Sequence, residues 1–270
     1  MNPASSLPHV LIRKLESIAT LSDEQKQALL SLPARPRVLK PGQEIVRDGD
    51  RPSQCCLVLE GWLCRMKMLS DGRRQILSFH IPGDMPDLQT LYLPVMDHTL
   101  VTLTRTTAGF IPHEDLRDLL VSHPGLVAAL WRETLIDAGI FREWMTGLGR
   151  RDAAGRIAHL LCELYLKLQA VGLAADHCFE FPLTQGQMSD ALGLSVVHVN
   201  RVLQDLRARH LIGSKGRSLQ ILNWEDLAGV AEFDPTYLHL EKRAAAHRLR
   251  LVPALSEAVS PLAREAGPFA

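Results

Sequence analysis

The period of the apolar residues changes twice along the chain. Residues 10–31 read as helices, and within "LSDEQKQALL" Ser22, with Gln25 three residues on, makes a capping box ahead of an apolar face. From residue 38 to about residue 111 the spacing shortens to β-type runs, "CCLVLEGWLCRMKML", "RQILSFHI" and "HTLVTLTRTTAGFI", punctuated by Gly42, Gly49, Gly61, Gly72 and Gly83. Short strands between glycine turns predict an antiparallel sandwich or barrel. Asp71-Gly72, between two such runs, predicts a hairpin. Helical spacing then returns: a short helix from His113 to Leu120, a longer one started by Pro124, and a third capped by Asp152 that ends at Gly172.

Along the long helix, Val127, Leu130, Thr134, Asp137, Phe141, Trp144 and Leu148 follow alternating steps of three and four. That is an a/d seam suited to pairing with a second copy of the chain, with Thr134 and Asp137 as polar members that weaken it or set its register. The same stripe also fits packing of the helix on its own sheet.

The segment "FPLTQGQMSDALGLSVVHVNRVLQDLRARHLIGSKGRSLQILN" carries the sharpest signal. Thr184 caps a helix, with Gln187 closing a second capping box, and Met188, Ala191 and Leu192 form its inner face. Gly193 sits where the chain must turn in the left-handed conformation. Ser195 caps another helix, whose inner stripe is Val199, Val202, Leu203 and Leu206. Helix, glycine turn, helix is the helix-turn-helix layout. The outward face of the second helix holds Val196, Val197, Asn200, Arg201 and Gln204, the residues that would meet base edges in a major groove. Arg201 suits guanine O6 and N7, Asn200 a base or a phosphate, Val196 and Val197 thymine methyls, and His198 a phosphate. A following hairpin puts Lys215, Gly216 and Arg217 at its tip, a wing suited to phosphate contacts.

Charge changes this picture only locally. The 30 basic and 30 acidic residues cancel, so no global field attracts nucleic acid. Across residues 195–217, however, Arg201, Arg207, Arg209, Lys215 and Arg217 face a single acid, Asp205. No apolar run is long enough to span a bilayer, and the start lacks a secretory cleavage pattern, so a cytoplasmic protein without membrane contact is expected. The five cysteines, Cys55, Cys56, Cys64, Cys162 and Cys178, are odd in number and show no C-x-x-C spacing. Reduced, buried thiols are expected, with a redox-active Cys55/Cys56 pair as the alternative. His80, His98, Met85 and Cys64 could each ligate haem chemically but have no supporting context. No Walker loop, nucleophile elbow, H-E-x-x-H or paired catalytic carboxylates occur, so no enzyme, metal site or cofactor is expected.

Taken in order, "VLKPGQEIVRDGD", "LVLEGWL", "IPGD", the long helix, "RRDAAGRIAHLL" and "LTQGQMSDALGLSVVHVNRVLQDLRARHLI" resemble the Crp/Fnr family of bacterial transcription regulators over roughly residues 30–230. The resemblance implies an α+β protein: N-terminal helices and an antiparallel, jelly-roll-like β-roll sensor domain (1–122), a dimerisation helix (123–150) and a winged helix-turn-helix domain (151–235). A flexible tail (236–270) is expected beyond them. The resemblance also implies a homodimer on a palindromic operator in double-stranded DNA, with the β-roll adjusting DNA binding to a signal. RNA polymerase is an implied partner if the protein activates, and an unidentified small-molecule effector is a further one.

Ser195 and Arg201 match the family's second-helix signature, while Val197 stands where a glutamate is common and cannot accept from cytosine N4. Cyclic-nucleotide members hold the phosphate with an Arg-Ser pair after a Gly-Glu. Here Asp87-Leu88 and His98-Thr99 occupy those places, so Asp87, Leu88, His98 and Thr99 outline a candidate effector pocket without a strong anion holder. Leu88, Leu91, Tyr92, Leu93 and Val95 suggest that the protein partly fills this pocket itself. No cysteine precedes Cys55, so an N-terminal iron–sulfur sensor is not expected. A ligand-binding or protein-interaction module, and a cyclic-nucleotide-responsive regulator with an atypical pocket, remain the alternative readings.

Overall fold

The computed structural model describes residues 7–240. Two helices, α1 (Leu7–Glu16) and α2 (Asp23–Leu30), lead into seven strands. The Ser22 capping box of α2 forms: Ser22 Oγ accepts from the Gln25 N–H at 3.2 Å, and Gln25 Oε1 accepts from the Ser22 N–H at 2.8 Å. The strands are β1 (Arg35–Leu39), β2 (Glu44–Val46), β3 (Gln54–Glu60), β4 (Leu63–Met68), β5 (Arg74–His80), β6 (Thr99–Thr102) and β7 (Thr106–Pro112). They pair antiparallel in two sheets, ordered β1-β7-β3 and β2-β6-β4-β5. The Asp71-Gly72 turn joins β4 to β5 as the sequence predicts. Cys55, Cys56, Cys64 and Cys162 are buried and free, and burial pushes the Cys64 and Cys162 thiols up to about 12.

Helix α3 (His113–Ser122) is followed by the long α4 (Pro124–Arg150), which Pro124 opens, and by α5 (Ala153–Ala170), capped by Asp152 Oδ1 on the Gly155 N–H at 2.7 Å. Beyond lie β8 (Ala174–Ala175), β9 (Cys178–Glu180), α6 (Gln185–Leu192), α7 (Val196–Ala208), β10 (Ile212–Lys215), β11 (Ser218–Ile221) and α8 (Trp224–Ala231). The wing is broader than the two-stranded hairpin read from sequence. β11 also pairs with β9, Leu219 opposite Phe179, in a sheet ordered β10-β11-β9-β8. One continuous apolar core runs from Leu11 in α1 to Leu238 in a 3-10 turn at Pro235–Leu238.

Two expectations need correction. The proposed tail cannot begin at residue 236, because the Tyr237 hydroxyl donates to Glu163 at 2.8 Å and Leu238 is buried. Residues 241–270 lie outside the described residues. The seam on α4 is also shifted. Leu130 and Trp144 are only 5% and 8% exposed and pack within the chain: Trp144 lies edge-on to Phe79 and donates to Glu163 at 3.1 Å. Thr134 and Asp137 are half-buried, and Asp137 pairs with Arg65 of β4. The exposed apolar stripe is instead Val127, Trp131, Leu135, Ala138, Phe141, Met145 and Leu148, again in steps of three and four. The helix has two apolar faces, and spacing alone does not say which one its own domains cover.

Candidate nucleic-acid interface and sensor junction

The local signals in the helix-turn-helix all translate into geometry. Thr184 Oγ1 accepts from the Gln187 N–H at 3.1 Å, and Gln187 Oε1 accepts from the Thr184 N–H at 2.8 Å, so the N-terminus of α6 is capped reciprocally. Gly193 ends α6 at φ 62°, ψ 36°. An added Cβ there would be strained in that conformation and would sit 3.4 Å from Leu148 at the end of α4. Ser195 Oγ accepts from the His198 N–H at 3.2 Å and starts α7. Val199, Val202, Leu203 and Leu206 are buried.

This burial turns the other face of α7 outward. Val197 is 79% exposed, and Val196, Asn200, Arg201 and Gln204 are exposed beside it, while His198 is half-buried and Thr184 lies exposed at the start of α6. Among the described residues none pairs with Arg201 or with Lys215 at the wing tip, so both retain their donors for a ligand. Arg217 is drawn toward Glu180 at 3.7 Å and Arg209 toward Asp205 at 3.5 Å. The free part of the basic patch is therefore smaller than the sequence count.

A second cluster, missed by sequence reasoning, lies where the β-roll meets α1, α4 and α5. Gly83, at φ 100°, brings the turn so close to α1 that a Cβ would fall 2.8 Å from that of Lys14. Asp84 consequently meets Lys14 at 2.9 Å, Lys167 of α5 at 3.7 Å and His80 at 3.5 Å. Lys14 also meets Glu133 of α4 at 3.2 Å. Burial would raise the Asp84 carboxyl, but the two lysines and His80 together hold it well below its usual range. His80 is pushed down to about 4 by burial and by the Arg65 cation, and it shares a 2.8 Å hydrogen bond with Ser78. Arg65 crosses from β4 to donate twice to the Pro86 carbonyl, at 3.0 and 2.6 Å, and once to Asp137 of α4. Lys14, Arg65, His80, Asp84, Glu133, Asp137 and Lys167 line a narrow cleft that opens to solvent.

The four residues expected to form an effector pocket do not come together around this cleft. Leu88 alone lines it. Asp87 is buried and accepts the Cys56 N–H at 2.8 Å, and burial raises its carboxyl to about 7. His98 is buried and turns Nδ1 to Asp97 at 2.6 Å, while Thr99 Oγ1 accepts the Asp48 N–H at 3.1 Å. The expected self-filling is also partial: Leu91 is buried, but Tyr92, Leu93 and Val95 are exposed.

A β-roll joined by a long helix to a winged helix-turn-helix with a free outward face defines a DNA-binding transcription regulator. Residues 36–123 match the cyclic nucleotide-binding domain family and residues 155–230 the Crp-like helix-turn-helix domain family. The nitrogen fixation regulation protein FixK of Rhizobium meliloti is 30% identical over 205 residues, 74% of this chain and 89% of that protein. The transcriptional activator protein FnrA of Stutzerimonas stutzeri is 29% identical over 212 residues, 78% and 86% of the two chains. The structure of FixK2 from Bradyrhizobium japonicum superposes with a TM-score of 0.67 at 26% identity, covering 74% of this chain and 98% of that one. The chain belongs to the Crp/Fnr family of transcription regulators.

Proposed function

We propose that this protein binds a palindromic operator as a homodimer, each protomer laying α7 in a major groove and its wing on the flanking phosphates, without enzymatic activity and in the compartment that holds the DNA. The observation that carries this reading is the outward face of α7, where Arg201 stands exposed beside Val197 with no partner among the described residues. The apolar stripe from Val127 to Leu148 supports the dimer, because steps of three and four are what a paired helix needs. Two-fold symmetry then sets the half-sites about one helical turn, roughly 34 Å, apart. Relatives named as transcriptional activators make RNA polymerase the proposed further partner.

The β-roll has no free arginine at the position where a phosphate cassette would lie, which supports a signal other than a cyclic nucleotide bound in the usual manner. A small molecule bearing hydrogen-bond donors that entered the cleft between β4 and α4 would compete with Arg65 for Asp137 and the Pro86 carbonyl. Arg201→Ala tests the DNA reading. On a genomic fragment selected by the wild-type protein it is expected to cost about 1–3 kcal/mol per half-site and to relax specificity there. Footprints as tight and as selective as wild type would end that assignment.

A further inference from the structure

We infer that strand β5 is the positioning element of the helix-turn-helix, with Arg74 acting through Asp190 and Gln75 through the Ala191 carbonyl to fix the orientation in which α7 stands free. Arg74 places Nε 2.8 Å from Asp190 Oδ2 and donates to the same oxygen through Nη2. Gln75 Nε2 donates to the Ala191 carbonyl at 3.1 Å. Ala191 lies in the last turn of α6, whose carbonyls have no partner inside the helix. The next one, of Leu192, is taken by Arg156 of α5 at 3.0 Å. The carbonyls of Ala191 and Leu192 at the end of α6 are therefore capped by side chains from other elements, one of which belongs to the sensor sheet.

The same strand also holds the domain at its other end. Lys167 of α5 donates to the Phe79 carbonyl at 3.1 Å, so β5 grips α5 and α6 together. The α6–α7 turn is itself tied: the Ser189 hydroxyl donates to the Leu194 carbonyl across it, and a Cβ at Gly193 would fall 3.4 Å from Leu148 at the end of α4. The two ties differ in exposure: the Arg74 and Asp190 side chains are 35% and 29% exposed, whereas the Lys167 side chain that reaches the Phe79 carbonyl is only 8% exposed. Fixing the tie with Arg74 is thus the adjustable step, open to salt and to anything that binds the β4–β5 hairpin.

This inference rests on α7 being the DNA-reading helix, and a charge swap tests it separately. Arg74→Asp and Asp190→Arg are each expected to weaken binding to the selected fragment by about tenfold, and the double variant to restore it to within a few-fold. Gln75→Ala, which removes the uncharged tie to the Ala191 carbonyl, should weaken binding while leaving the salt slope unchanged, since a lost phosphate contact would lower that slope. Thermal melting of each variant separates misfolding from misplacement, and Asp190→Asn is the milder variant where a reversal fails to fold. Folded single variants that bind like wild type or tighter, or a folded double variant that is not rescued, would overturn the inference. If Arg201→Ala weakens binding and the Arg74 variants do not, β5 has no positioning role. If Arg201→Ala also has no effect, the reading of α7 falls and the inference with it.

Discussion

The sensor junction and the recognition face use the same residue types in opposite ways. At the junction Lys14, Arg65 and Lys167 are drawn into contact with Asp84, Glu133 and Asp137, and they tie α1, β4, α4 and α5 into one body. On α7 and the wing, Arg201 and Lys215 meet no acid at all among the described residues. The difference follows from solvation. A cation that loses its water must be paired on the spot, whereas one on the surface can wait for a partner that arrives from outside. Charges in the first region hold a shape; those in the second are held in reserve.

Removing Asp84 is the strongest way to break this contrast. Asp84→Ala leaves Lys14 and Lys167 near one another without their shared acid and is expected to cost about 3–5 kcal/mol of stability in urea unfolding. Arg201→Ala should change stability by no more than about 0.5 kcal/mol. Equal effects from the two would erase the distinction between holding and reserved charge.

Next in size is the response to acid. His159 is buried against Phe233 and Tyr237, and burial with the Arg151 cation lowers it to about 3. The unfolded chain takes this proton first, at about 6.5. The stability His159 contributes is therefore full above about pH 6.5 and falls, by up to about 1.4 kcal/mol per pH unit, as pH drops toward 3. His80 adds a loss of the same sign down to about 4. Asp87, raised to about 7, acts oppositely and loses stability as pH rises from about 4 to 7. In His159→Gln the fall in unfolding free energy between pH 6.5 and 5 should be shallower than in wild type. An unchanged slope would mean that His159 is charged inside the fold.

The smallest effect is expected at the wing. Lys215→Ala should weaken binding to all DNA sequences alike and reduce the salt slope by about 1. A loss confined to the operator would mean that Lys215 reads bases and would place the wing with α7 on the specific side of the interface.

What the sequence made legible followed the range of the interactions. The DNA-reading unit is built from contacts within a few residues, Thr184 with Gln187, Ser195 with His198 and the left-handed Gly193, so its caps and turn are written in order. The junction depends on residues far apart in the chain: Arg65 meets Asp137 across 72 positions and Lys167 meets the Phe79 carbonyl across 88. A usable signal was nonetheless present. Lys14 falls on the stripe of Leu11, Leu15 and Ile18, and Lys167 on the stripe of Leu164, Leu168 and Val171, all of which are buried. A lysine at the buried position of an apolar stripe announces an acid from another element. The effector residues rest on analogy of position, whereas backbone N–H groups of β3 and of the turn after β2 already occupy Asp87 and Thr99 as hydrogen-bond acceptors. The three-residue β9 carried no pattern because its partner β11 lies some forty positions away.

Helix α4 spans 27 residues, about 40 Å at 1.5 Å per residue, from the sensor to Leu148 beside the α6–α7 turn. Its angular phase is thereby locked at both ends. Near the sensor Asp137 must face Arg65, and near the DNA-binding unit Leu148 must reach the α6–α7 turn while the stripe between them faces outward. One residue inserted between Asp137 and Leu148 would rotate everything beyond it by about 100° and advance it by about 1.5 Å. The helix works as a keyed shaft, whose length between those two residues sets the angle between what it meets at either end.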